Sequence, residues 1–196
     1  MERTLVIDHS TLVIRRTAAV VLGAVLVALA AQVSIPLPGT PVPMTLQPMA
    51  VLLVGGLLGA RLGALSMILY LAMGAAGLPV FTPSPLLLPG IARLFGQTGG
   101  YLLAYPIAAY AVGWFSDPAR KRGVQEQVAG VRVALGVFIG LVLIHLGGLA
   151  QLAILTGNLS AAARFGTWPF LLGDMLKLVI LVPVLTKLIP TVRARL

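Results

Sequence analysis

Asp174 and Lys177 stand three residues apart inside the apolar run 168–188. Ionised side chains at membrane depth are energetically expensive, so they are rare and mark functional sites by default. On a helix, the i, i+3 spacing puts both side chains on one face, within pairing reach. Such a pair either lines a polar substrate site inside a membrane protein or ties helices together as a structural ion pair. Other residues extend the chemistry. Lys177 and Arg93 are cations that suit a carboxylate, and Asp174 can accept N–H donors such as those of a urea or an amide. Thr45 and Gln47 can hydrogen-bond a neutral polar group, while Phe81, Tyr101 and Trp168 can cover apolar surface. An anion with a hydrogen-bonding head fits this set. Each group also has a plainer use: Arg93 as a solvated loop charge, the aromatics as anchors at the membrane–water boundary.

Other chemistries find no support. The chain lacks Gly-x-x-x-x-Gly-Lys-Ser/Thr, so no P-loop binds ATP, and it lacks both His-Glu-x-x-His and the Gly-x-Ser-x-Gly elbow. It has no cysteine, which removes disulfides, thiolate metal sites and a cysteine nucleophile. His9 and His145 are too few and too far apart to suggest a metal site, and nothing in the sequence pairs Ser66 with His145. The expectation is therefore a binder of small molecules, not an enzyme and without a metal or cofactor of its own. A proton-coupled carrier, with Asp174 as its one buried acid, and an intramembrane enzyme are the other readings.

The elements that must position these residues are membrane helices. Of the 196 residues 59% are hydrophobic and 10% charged, where a soluble domain carries about 25% charged. Six apolar runs follow one another at about 17–33, 46–58, 62–77, 98–115, 131–155 and 169–188, with Pro, Gly or charge in the breaks. They predict an all-α, six-helix membrane protein, 1–196 forming one integral membrane domain, since a span needs about 20 apolar residues. Arg15–Arg16 followed by an apolar run also resembles a signal peptide, but five more runs follow, which favours an uncleaved first helix. The net charge of +9 comes from basic residues in short loops, so it reads as a topology signal and not as nucleic-acid binding. With the N-terminus inside, eleven Lys/Arg fall on inner segments and two, Arg93 and Arg164, on outer ones. Both termini are then cytoplasmic.

Two connections stand out. The 46–58 run would make about 20 Å of helix against a hydrocarbon core of about 30 Å. The prolines of 36–43 before it predict extended backbone that dips into the membrane, with Thr45 as the helix N-cap and Pro48 tolerated in its first turn. Short, Pro-interrupted segments of this kind point to a binding site. The long, apolar connection 78–97 reads as a lid or cap. With the outer part of the last helix these place the site in the outer half of the bundle. In the first helix Ala19 and Gly23, and Ala24 and Ala28, are four apart, a spacing that permits close helix approach either within the bundle or to a membrane partner.

Four segments in order, Pro41-Val42-Pro43-Met44-Thr45-Leu46-Gln47, Gly77-Leu78-Pro79-Val80-Phe81, Gln97-Thr98-Gly99-Gly100-Tyr101-Leu102 and Gly173-Asp174-Met175-Leu176-Lys177, resemble the BioY family. These are the biotin-specific S components of energy-coupling factor (ECF) transporters, and the resemblance spans about 17–190. It implies a six-helix S-component bundle in the prokaryotic cell (inner) membrane, with a biotin pocket near the outer face covered by the loop between the first two helices. Asp174 and Lys177 match the family's Asp-x-x-Lys pair, implicated in holding biotin's polar groups, and Arg93 falls where some members place a ligand contact. The chain departs from the family at Gln97, where Pro is usual, and at 84–89, which replaces a commonly Gly-rich stretch. The resemblance further implies partners: a transmembrane coupling (T) protein, expected at Ala19, Gly23, Ala24 and Ala28, and two cytosolic ATPases that hydrolyse ATP.

Overall fold

The computed structural model describes residues 9–84, 88–117 and 130–196. Each apolar run becomes a helix: α1 His9–Gln32, α2 Gln47–Leu58, α3 Ala60–Ala75, α5 Gly99–Ser116, α6 Gly130–Thr156 and α8 Leu171–Arg193. Between them lie the short α4 (Ala92–Phe95), α7 (Leu159–Gly166) and a 3₁₀ turn Trp168–Phe170, none of which the apolar pattern announces. A two-stranded hairpin joins α1 to α2, with β1 Ser34–Ile35 antiparallel to β2 Met44–Thr45. The 36–43 segment, expected to be extended, instead turns at Pro38–Gly39 and forms the loop of that hairpin. By length and composition, α1, α6 and the stretch Leu159–Arg193 can each cross a membrane. The outer surface suits lipid: Leu172 is 87% exposed and Ile154 81%, while Val27, Leu52, Val112, Val137, Leu181 and Leu185 fill the interior.

α2 has 12 residues, about 18 Å of helix. It ends at Gly59, whose φ of +85° lets the chain reverse straight into α3 without the Cβ clash other residues would meet. Helix α8 runs past Leu188, the expected end, in spite of Pro190. Arg193 explains the extension. Its guanidinium donates to the carbonyls of Gly56, Leu57 and Ser116 and to the Asp117 carboxylate. A cation at the carbonyl ends of α2 and α5 satisfies acceptors that have no intrahelical partner and complements both helix dipoles. Arg193→Ala should therefore lower stability by about 2–3 kcal/mol, read as an earlier thermal transition in detergent; an unchanged melt would mean those carbonyls find other donors.

The small-residue stripe of α1 is turned inward. Gly23 and Ala24 are buried, and a Cβ on Gly23 would lie 2.7 Å from Ser66 Oγ on α3 and 2.9 Å from Val54 Cγ1 on α2. Ala19 and Ala28 are half-buried. Of the four residues expected at a docking face, Gly23 and Ala24 pack α1 onto its own bundle. Arg3, Arg120, Lys121 and Arg122, which entered the charge pattern above, lie outside the described residues.

Candidate ligand-binding site

The first turn of α8 carries Asp174, where the positive end of the helix dipole favours a carboxylate. Lys177, one turn on, donates from Nζ to Asp174 Oδ1 at 2.7 Å. From α6, His145 Nε2 meets Asp174 Oδ2 at 2.5 Å. The carboxylate is thus held from both sides by groups on two helices. Asp174 and Lys177 are 5% and 8% exposed, and burial without such partners would be prohibitive. His145 is the residue that sequence reasoning passed over as a lone histidine. Its position on the fifth apolar run was visible, but its contact with a residue 29 positions later was not.

A second polar cluster joins α2, α3 and the 78–97 connection. Gln47 Nε2 donates to Tyr70 Oη at 2.5 Å, Tyr70 Oη to Val80 O at 3.2 Å, and Thr82 Oγ1 to Gln47 Oε1 at 3.0 Å. Gln47 thereby braces the pocket wall. Arg93 is buried and donates to Leu88 O at 2.7 Å and Thr82 O at 3.0 Å, which fastens the connection into a wall. Burial lowers its pKa from the ordinary guanidinium value, partly opposed by the Tyr70 phenol, yet arginine remains charged. Pro85, Leu86 and Leu87 of the expected lid lie outside the described residues.

All seven ligand-contact candidates from the sequence, Thr45, Gln47, Phe81, Arg93, Tyr101, Asp174 and Lys177, line one pocket of about 640 Å³ including its mouth. Thr45 differs from expectation: Leu46 occupies the N-cap position without a side-chain bond, and Thr45 Oγ1 instead accepts from Gln47 N at 3.3 Å. Trp168 is 69% exposed and does not line the pocket; Phe170, two residues on, does. The 3₁₀ turn between them sends the two rings to different sides. Tyr101 donates its hydroxyl to Gly166 O at 2.6 Å, so it presents a ring rather than a free hydroxyl. Thr98, Tyr105, Leu141, Ile144 and His145 complete much of the lining.

Thr98 Oγ1 and His145 Nδ1 are buried polar atoms without a hydrogen-bond partner among the described residues. Leaving such an atom unpaired costs about 1–3 kcal/mol, so a ligand that pairs with either gains by it. The loop of the hairpin supplies Val42 and Pro43 to the pocket and is pinned where Thr40 Oγ1 donates to Phe165 O at 2.6 Å. Among the described residues no group of three His, Cys, Asp or Glu side chains could hold a metal ion. Arg93, Lys177 and Asp174 give the pocket two cations and one anion, which matches a monoanion with N–H donors and an apolar body.

Comparison with known proteins bears on this arrangement. A family model described as the BioY family matches residues 2–194. A probable biotin transporter BioY of Pyrococcus horikoshii is 36% identical over 152 residues, covering 78% of this chain and 82% of that protein. The biotin transporter BioY of Rhizobium etli is 32% identical, covering 80% and 83%, and that of Thermotoga maritima 33% identical, covering 79% and 84%. In fold the chain resembles a solved S-component for biotin from an ECF-type ABC transporter, with TM-score 0.78 and 24% identity, covering 93% of this chain and 94% of that one.

Proposed function

The chain belongs to the BioY family, and from that premise we propose that it is the biotin-binding S component of an ECF-type transporter. It captures biotin at the outer face and delivers it inward with a transmembrane coupling protein and cytosolic ATPases. The carrying observation is the Asp174 carboxylate held between Lys177 and His145 inside an otherwise aromatic and aliphatic pocket. Biotin is a monoanion with a ureido head, a fused apolar ring and a carboxylate tail. Asp174 accepts the ureido N–H groups and Lys177 donates to the ureido oxygen. Arg93 attracts the carboxylate tail, and Phe81, Tyr101 and Phe170 cover the ring system. Relatives named as biotin transporters support this reading.

Charge placement supports the orientation. The pocket end carries Arg93 and Arg164, while the opposite end gathers Arg16, Arg61, Arg132, Lys187, Arg193 and Arg195. At that opposite end Arg16 donates to Leu196 O at 3.3 Å. By the positive-inside rule the pocket then faces outward and both termini are cytoplasmic. The chain works as one integral membrane domain of the prokaryotic cell (inner) membrane. Having no P-loop, it takes its energy from ATP hydrolysed by partner subunits.

Calorimetric titration of the detergent-purified chain tests the reading, with thiamine and riboflavin beside biotin. Tight binding of biotin alone is expected. Binding of another vitamin in its place, or none by folded protein, would overturn it. Flux driven by a proton gradient in liposomes that lack any ATPase would replace it with a proton-coupled carrier.

A further inference from the structure

We infer that His145 is a positioning residue for ligand capture, orienting the Asp174 carboxylate and making capture weaken as protons are added. The inference rests on the biotin-binding reading of this pocket. An ionised carboxylate can only accept hydrogen bonds, so the 2.5 Å contact with Asp174 Oδ2 puts the imidazole proton on Nε2. Nδ1 then carries a lone pair, and among the described residues it is a buried nitrogen without a partner. The ring is itself held, edge-on to Tyr101 at 6.3 Å and tilted against Phe170 at 6.4 Å. His145 thus fixes one oxygen of Asp174 as Lys177 fixes the other, leaving the remaining lone pairs aimed by geometry instead of by chance rotation.

The proton sensitivity follows from the groups around the ring. Helix α8 presents Asp174 and Lys177, α5 presents Tyr101 and Tyr105, and the 78–97 connection brings Arg93 to the same pocket. Helix α7 carries Arg164, which is exposed, and α2 lines the pocket with Gln47 and Pro48, which do not titrate. Of these groups, His145 is the one with an open ring nitrogen, Nδ1, facing the pocket to take up a proton. Protonation converts Nδ1 from acceptor to donor and adds a second cation to the Asp174 carboxylate. Both changes weaken Asp174 and His145 as acceptors for ligand N–H groups. The ligand's carboxylate, with an ordinary value of about 4.3 like a glutamate side chain, stays ionised across the window.

The test is biotin titration of the full chain in detergent between about pH 8 and about pH 5.5, for wild type, His145→Gln and His145→Leu. Gln keeps an N–H donor for Asp174 and does not titrate; Leu keeps neither property. Wild-type affinity should fall by about tenfold on acidification. His145→Gln should show a flat profile across the window, whatever its affinity at the high end. His145→Leu should lose about tenfold or more throughout. Wild type and His145→Gln sharing one slope would overturn the inference, as would His145→Leu matching wild type near pH 8. The slope comparison stands even if His145→Leu fails to fold. Folded wild type that binds no biotin at any pH overturns the functional reading itself; normal wild-type binding with unaltered variants overturns only the role of His145.

Discussion

Asp174→Asn should weaken biotin binding by about 100-fold or more, which corresponds to about 3 kcal/mol. The substitution is nearly isosteric, so it leaves the packing of α8 in place. What it removes is an acceptor-only group. Asp174 now takes a hydrogen bond from Lys177 at 2.7 Å and another from His145 at 2.5 Å, and still has lone pairs for a ligand. Asn offers one oxygen and an NH₂ group, so one of its three donors, Lys177, His145 or the ureido head, loses its acceptor. It also leaves the Lys177 ammonium buried beside a neutral partner, and unpairing one half of a buried ion pair is costly. Titration calorimetry reads the affinity, and a thermal melt of the same sample separates binding from folding. Affinity within about threefold of wild type, together with a lowered melting transition, would return Asp174–Lys177 to a structural role.

The second large effect concerns the frame rather than the pocket. Gly100→Val should prevent recovery of monodisperse protein, or lower its melting transition so far that binding cannot be measured at growth temperature. Helices α5 and α6 cross at Gly100 and Gly147, and a Cβ on Gly100 would overlap the Gly147 carbonyl and lie 2.7 Å from Gln151 Cβ. The main obstacle is backbone, so no rotamer change relieves it. Overpacking of a core position usually costs about 1–3 kcal/mol; a clash with main chain belongs at or above the top of that range. The site depends on this crossing because Tyr101 and Tyr105 of α5 line the pocket together with Ile144 and His145 of α6. A Gly100→Val chain that elutes, melts and binds as wild type would show that α5 and α6 do not meet this closely.

The Asp174–Lys177 pair was legible because both residues sit on one helix, where spacing alone decides whether side chains share a face. Thr45, Gln47, Phe81, Arg93 and Tyr101 were reachable through motif order, and they line the same pocket. Their working parts were not reachable. Gln47 and Arg93 are taken up by Tyr70, Thr82 and Leu88, partners that no local pattern indicates. The small-residue spacing in α1 permitted two uses. It is compatible with any close helix neighbour, and in the fold that neighbour is α2 and α3 of the same chain. Helix α8 outran its apolar run because its last turn is held by Arg193 bonding to α2 and α5, a tertiary cause invisible to hydropathy.

The sequence by itself determined that this is an all-α membrane protein, the approximate course of its six apolar helices, and the family to which it belongs. These rest on run length, composition and residue order, which a chain carries before it folds. Only the tertiary structure decided that His145 holds Asp174, that Phe170 rather than Trp168 faces the pocket, and that Gly23 and Ala24 of α1 are packed inward. Those outcomes depend on how helices distant in sequence cross and rotate about their axes. Crossing and rotation are set by the packing of whole faces, which no single segment specifies.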